Sequence, residues 1–194
     1  MTKKSLILAM LVCGTLAVAA QEHVEFRWYG FYGVGEYAFM TNVNQTTHSD
    51  TANLHGFTFI SGFQFGKEAG LGLGVTYLND PRGGFTQLPV FLELRSHFSR
   101  NTLTPFSAVQ IGYCIPLGAT GIPPKSIYID EGGLYFNILA GARYALSRNL
   151  AVNLNMGYQL MFLNKVKMCD ENGMPALDDP ILFHMLRFGA GVNF

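Results

Sequence analysis

The chain has 194 residues, and only 13% of them are charged, about half the proportion usual in a soluble domain. Its mean hydropathy is positive at +0.21, and it contains 22 glycines. Thirteen Lys and Arg residues balance 13 Asp and Glu residues, which argues against a nucleic-acid partner because such a partner requires a basic face. After the first twenty residues no segment is apolar over 18 consecutive positions, so a membrane-spanning helix is excluded from that part of the chain.

The first twenty residues have the composition of a secretory signal peptide. Lys3 and Lys4 supply the positive charge, residues 6–18 form a short apolar core, and residues 17–20 are small enough for cleavage. We predict a signal peptide over 1–20 and one exported domain over 21–194, with a net charge of −2 from 11 Lys and Arg against 13 Asp and Glu. The alternative, a lipid attached to Cys13, is disfavoured because Val12 stands where a small residue is required.

Eight segments after the signal alternate apolar and polar residues with the period of two that β-strands show. The predicted strands cover residues 28–40, 56–65, 69–78, 87–98, 104–115, 134–146, 150–162 and 181–194. The seventh is the clearest, with one apolar face made by Leu150, Val152, Leu154, Met156, Tyr158 and Leu160. Strands of this length exceed the usual five or six residues and match the roughly 9–11 that a tilted strand needs to cross a bilayer.

The predicted connections alternate between short and long. Tight turns at 66–68, 99–102 and 147–149 join strands two to three, four to five and six to seven, and Ser-Arg-Asn occurs in two of them. The other connections are longer, at about 41–55, 79–86, 116–133 and 163–180. Short turns on one side and long loops on the other are typical of transmembrane β-barrels. We therefore predict an all-β, eight-stranded, antiparallel, up-and-down transmembrane barrel with short periplasmic turns and long extracellular loops.

A soluble lipocalin-like barrel is the alternative, since it also has eight alternating strands. It would direct the apolar faces inward and expose the glycine face of strand three, made by Gly70, Gly72 and Gly74. An eight-stranded lumen is just wide enough for side chains to fill, and five large residues from each strand exceed that space. The membrane barrel is therefore favoured.

Three motifs resemble a known family, the small outer-membrane-protein β-barrel domains of Gram-negative bacteria, akin to the OmpA/OmpX-type eight-stranded barrels and of porin-family type. They are Tyr-Gly-Val-Gly at 32–35, Leu-Pro-Val-Phe-Leu-Glu-Leu-Arg at 88–95, and Gly-Ala-Arg-Tyr-Ala-Leu-Ser-Arg-Asn-Leu at 141–150. The resemblance covers about residues 28–194. It specifies the fold better than the activity, because one scaffold hosts many roles.

The resemblance implies an integral outer-membrane protein that is a monomer, has no cofactor and binds no nucleic acid. The expected partners are outer-membrane lipid and lipopolysaccharide, the barrel insertion machinery and periplasmic chaperones. The end of the chain also resembles the signal by which such barrels are recognised for insertion. This assembly signal would comprise Phe188, Val192 and Phe194, which lie on one apolar face of the last strand.

Polar side chains on the inward parity of several strands predict a polar network that fills the lumen. Its members are Glu93, Arg95, Gln110, Arg143, Asn155 and Arg187. Buried charges must be paired, so a closed polar plug is expected. The alternative is a narrow gated conduit in which Arg–Glu pairs exchange partners.

Glu36 does not fit the predicted facing of strand one. It shares the parity of Tyr32 and Val34, which we place toward lipid, where an ionised group is costly. Either a bulge after Gly35 or a position at the outer rim would remove the conflict.

The predicted role is non-enzymatic, either structural or through binding by the extracellular loops. The alternative is an outer-leaflet lipid-modifying enzyme, a lipid A acyl hydrolase or transferase, suggested only by His48, Ser49 and Asp50 in the first long loop. Adjacent residues rarely converge as nucleophile, base and orienting group. His184 is expected to be a rim residue. No zinc-ligand spacing, P-loop or dinucleotide fingerprint occurs, so no metal or cofactor is expected.

Two cysteines remain after signal removal, Cys114 near the outer end of strand five and Cys169 in the last long loop. Export places both where disulfides persist. A Cys114–Cys169 bridge would fold that loop over the lumen as a lid, provided that the two Cα atoms approach within about 7 Å. Two unpaired thiols are the alternative.

Overall fold

The structure, a computed structural model, describes residues 28–43, 53–66, 68–81, 86–117, 126–169 and 175–194; within these ranges the side chains of 126–130, 165–169, 175–179 and 181 are not described. Eight antiparallel strands close into a barrel in chain order, as the sequence predicts. They are β1 (Tyr29–Asn42), β2 (Asn53–Phe65), β3 (Gly70–Asn79), β4 (Thr86–His97), β5 (Leu103–Pro116), β6 (Ser126–Ser147), β7 (Leu150–Cys169) and β8 (Pro175–Asn193). We call the end with the short β2–β3, β4–β5 and β6–β7 connections the turn end, and the opposite end the loop end.

The strand register fixes the tilt of the barrel. A path across hydrogen-bonded partners from Tyr32 returns to β1 at Asn42, a shift of ten residues (42 − 32). The path passes through Gly62, Gly72, Glu93, Gln110, Asn137, Gln159 and Met185. Ten residues of shift over eight strands correspond to a tilt of about 40°. A barrel of this size has room inside for side chains alone.

The outer surface of the barrel is apolar. Leu73 is 59% exposed and Leu154 is 68% exposed, and both point away from the lumen. A soluble barrel would not present so continuous an apolar surface to water, so the lipocalin-like alternative is not supported. No helix long and apolar enough to cross a membrane occurs in the part of the chain that the structure describes.

The last three strands are longer at the loop end than the sequence predicts. β6 begins at Ser126 instead of 134, β7 continues to Cys169 instead of 162, and β8 begins at Pro175 instead of 181. The β5–β6 register ends at Cys114–Gly133, so about 20 Å of β6 lies beyond it along the strand. Much of what the sequence suggests as loop is therefore sheet. We call the part of β6, β7 and β8 beyond Gly133, Leu163 and Phe183 the extension.

The predicted facing of β1 is wrong. Val34 is 1% exposed, Glu36 is 4% exposed and Tyr32 packs against the buried core, so all three point into the lumen. The register of β1 with both neighbours is continuous, and no bulge follows Gly35. Glu36 is therefore in no conflict with its neighbours, because the apolar residues that share its parity line the interior and do not face lipid.

Candidate functional site

The six residues predicted to form the lumen network are all buried within the barrel. Their exposed fractions range from 0% to 7% for Glu93, Arg95, Gln110, Arg143, Asn155 and Arg187. The structure divides them into two hydrogen-bonded groups and places Arg143 apart from both. The two groups lie near the middle of the barrel, and Arg143 lies at the turn end.

The first group is built on β4. The Arg95 guanidinium donates from Nε to Glu93 Oε1 at 2.8 Å, and Gln110 Nε2 donates to Glu93 Oε2 at 2.7 Å. The Gln110 carbonyl accepts from Asn137 Nδ2 at 2.8 Å and from the Tyr135 hydroxyl at 3.1 Å. Glu93, Gln110 and Asn137 are direct cross-strand partners, so one row of the sheet brings this group together.

The second group joins β1, β7 and β8 around a residue that the sequence placed outside the lumen. Glu36 Oε2 accepts from Arg187 at 2.9 Å, and Glu36 Oε1 accepts from Asn155 Nδ2 at 2.7 Å. Arg187 also donates to Asn155 Oδ1 at 2.5 Å. Gly191 leaves the space in which Glu36 lies, because a Cβ there would meet the Glu36 side chain. In the sequence, the only sign of this role is that Glu36 is a charged residue on a face predicted to meet lipid. The structure shows that it is the ion-pair partner of Arg187.

We call these two groups together the polar layer. Each contains one carboxylate and one guanidinium in direct contact, so the charges cancel within each group. Breaking either pair would leave a charge uncompensated in a dry interior, which is strongly unfavourable. The geometry is that of a stabilised closed lumen.

Between the polar layer and the loop end the lumen is filled mainly by apolar side chains, although Thr58, Thr76, Gln87 and Gln159 are also buried there; this corrects the expectation of a polar filling throughout. Thirteen residues form one cluster, each at most 5% exposed. They are Val34, Ala38, Met40, Leu54, Ile60, Leu78, Phe91, Cys114, Tyr135, Met161, Leu163, Phe183 and Met185. We call this cluster the apolar plug. Inward faces therefore need not be polar where the barrel is filled by side chains packed against one another.

A cavity of about 90 Å³ opens at the turn end. Arg143 lies here, with its guanidinium 4.6 Å from the centre of the Trp28 ring. The Trp28 ring also meets His97 edge-on at 5.5 Å. Arg95, which is buried, is another of the residues that line this cavity. Arg143 thus belongs to the mouth of the barrel and not to the polar layer.

The three residues of the predicted assembly signal lie on the outer face of β8. Phe188, Val192 and Phe194 are 46%, 43% and 53% exposed. Phe194 exchanges two backbone hydrogen bonds with Gly33, at 2.7 and 2.9 Å, and its ring lies over that glycine. Phe194 thereby closes the seam between the first and last strands, which is compatible with a role in assembly.

The strand registers argue against the predicted disulfide. Cys114 is a buried free thiol paired across the sheet with Gly133, whose β7 partner is Leu163. Cys169 is six residues further along β7, about 20 Å away, well beyond the roughly 7 Å that a bridge allows. The side chain of Cys169 lies outside the described residues.

The residues considered for an enzymatic site are only partly described. His48, Ser49 and Asp50 lie outside the described residues. His184 sits on the outer face of β8, and its Nδ1 is 2.6 Å from the Tyr158 hydroxyl. The side chains that the structure describes include no group of three His, Cys, Asp or Glu residues able to hold a metal ion.

No protein-family model matches the chain, and no curated protein matches it. Several solved structures, in contrast, match the chain. Neisserial surface protein A superimposes with a TM-score of 0.59 at 15% identity, over 84% of this chain and 96% of that protein. The outer membrane protein OprG from Pseudomonas aeruginosa gives a TM-score of 0.54 at 13% identity, over 88% and 99%. The chain therefore has the fold of the small eight-stranded outer-membrane β-barrels.

Proposed function

We propose that the protein is an integral outer-membrane barrel with a closed lumen, and that it acts through its extracellular face. One observation supports this most strongly: the apolar plug fills the lumen under a continuous apolar outer surface. Water does not cross a packed apolar cluster, and lipid is the solvent that such an outer surface requires. In this orientation the turn end is periplasmic and the loop end extracellular.

The extension supports a binding role for the extracellular face. In the extension, β6, β7 and β8 continue beyond the loop-end rim of the barrel, whereas β1 to β5 end at that rim. Crossing the bilayer needs only about 9–11 residues per strand, so the 22, 20 and 19 residues of β6, β7 and β8 exceed that need. Ordered sheet above a membrane offers a fixed surface for a macromolecular partner or for lipopolysaccharide.

The proposal also includes how the protein is exported and how it is assembled into the membrane. Residues 1–20 act as a cleaved signal peptide, and the barrel inserts as a monomer with help from periplasmic chaperones and the insertion machinery. The role is non-enzymatic and requires no cofactor. Mass spectrometry of lipid A from cells with and without the protein tests the non-enzymatic role. Identical spectra are expected, and a change in acylation would favour a lipid-modifying enzyme.

Site-specific labelling tests the membrane orientation. Ser126→Cys in a Cys169→Ser background places a thiol at the top of the extension, and Ser147→Cys in the same background places one in a periplasmic turn. On intact cells a membrane-impermeant maleimide should label the Ser126→Cys protein alone. The Ser147→Cys protein should react only after the outer membrane is opened. The reverse pattern, or a protein that is soluble without detergent, would overturn the proposal.

A further inference from the structure

The barrel wall has a notch at its periplasmic end. The register of β8 with β1 ends at the Gly33–Phe194 pair, but β1 continues four residues further, to Tyr29, along β2. On the other side of the gap the β6–β7 turn brings Arg148 and Asn149 to the same cavity. The cavity at the turn end is therefore lined from both sides of this notch and lies where headgroups of the periplasmic leaflet would be.

The inside of the notch is cationic. Arg95, Arg143 and Arg148 line it together with His97, and the described lining residues include no acidic side chain, although Phe194 contributes its backbone carboxylate. His97 is 4% exposed, and its Nε2 has no hydrogen-bond partner among the described residues. Glu93 neutralises Arg95, whereas the exposed Arg148 belongs to neither ion pair of the polar layer. The lining is thus suited to an anionic group.

The rim of the notch is apolar on its outer side. Phe31 is 80% exposed, Tyr29 is 67% exposed and Phe194 is 53% exposed, and all three line the cavity. A cavity of about 90 Å³ is about three times the volume that one water occupies in the liquid, which is enough for a phosphate group. A ligand with a negative head and an apolar body matches both parts of the lining.

We propose that this notch binds one anionic phospholipid of the periplasmic leaflet. Its phosphate would accept charge-assisted hydrogen bonds from Arg148 and Arg143 at the mouth, and its acyl chains would lie along Phe31 and Phe194. Arginine is well suited to this because its guanidinium matches a phosphate in a bidentate geometry. The inference rests on the proposed membrane location, but the labelling experiment tests that location separately.

The chain supplies its own matched control. The tripeptide Ser-Arg-Asn occurs at 99–101 and at 147–149, both in exposed periplasmic turns, but only the second borders the notch. Arg148→Gln removes a cation from the notch, and Arg100→Gln removes one from an equivalent turn elsewhere on the rim. Because both arginines are exposed, both variants should refold, which a heat-modifiable gel position checks.

Native mass spectrometry of the refolded full-length mature protein in detergent measures the binding. The probes are phosphatidylglycerol and phosphatidylcholine with identical acyl chains. We expect one phosphatidylglycerol to be retained in preference to phosphatidylcholine, retention to weaken about tenfold in Arg148→Gln, and Arg100→Gln to match the native protein. Excess inorganic phosphate should displace little of the lipid, because phosphate lacks the apolar body.

Three results would overturn the proposal. They are equal retention of the two lipids, equal losses in the two arginine variants, and occupation by inorganic phosphate without preference for lipid.

Discussion

The polar layer and the apolar plug fill the same lumen by different means. In the polar layer two ion pairs with amide partners satisfy one another across β1, β4, β5, β7 and β8. In the apolar plug thirteen side chains exclude water mainly by packing, and one of them, Tyr135, also donates a hydrogen bond to Gln110 of the polar layer. Both are equally buried, so burial does not distinguish them. The stability of the polar layer depends on each charge keeping its partner, whereas that of the apolar plug depends on its side chains filling the available volume. Removing one partner of an ion pair and creating a cavity should therefore destabilise the barrel to different extents.

Removal of one partner of an ion pair should have the largest effect. Glu36→Ala leaves Arg187 charged and unpaired in the lumen, so we expect a loss of about 3–5 kcal/mol in the free energy of unfolding. Urea unfolding from lipid vesicles, followed by the fluorescence of the single tryptophan, measures it. The double variant Glu36→Met/Arg187→Met should recover most of the loss. A double variant as unstable as Glu36→Ala would contradict the pairing account.

A cavity in the apolar plug should have the next largest effect. Leu54 is 0% exposed, so Leu54→Ala should cost about 3 kcal/mol by the same unfolding measurement. Leu73→Ala on the outer face is the control, because Leu73 is 59% exposed and lipid replaces its contacts. Equal losses in the two variants would show that the loop-end half of the lumen is not packed as described.

A single neutral hydrogen bond beside the plug should have the smallest effect. The hydroxyls of Thr58 and Thr76 lie 2.8 Å apart and are buried. Thr58→Val should cost about 1 kcal/mol, and Thr58→Val/Thr76→Val should cost less, because no hydroxyl is then left without its partner. If the double variant loses twice as much as the single one, pairing is not what stabilises this contact.

The number of strands, their antiparallel order and the short turns were predictable because the outer face repeats every two residues. The facing of β1 was not predictable from local alternation, because Val34 and Ala38 on its inward face are as apolar as residues that face lipid. Only the charge at Glu36 indicated the correct facing, and its partner Arg187 lies 151 residues away in sequence. Pairing over that distance depends on closure of the barrel.

The extension was missed for a different reason. Its residues include Ile127, Tyr128 and Ile129, which favour strands, but they follow a Pro- and Gly-rich segment at 116–125 that predicts a loop. Pairing of β6 with β7, and of β7 with β8, then determines where each strand ends and its loop begins. Strand ends set by neighbours in this way are not visible in a single segment.

Single-channel recording in planar bilayers tests the closed lumen most directly. The account predicts no steady conductance for the refolded native protein, because the apolar plug excludes water from the loop-end half. Leu54→Ala/Met161→Ala/Met185→Ala, which empties part of the plug, should by contrast admit brief current steps. A steady, stepwise conductance in the native protein would contradict the closed lumen on which the proposed function rests.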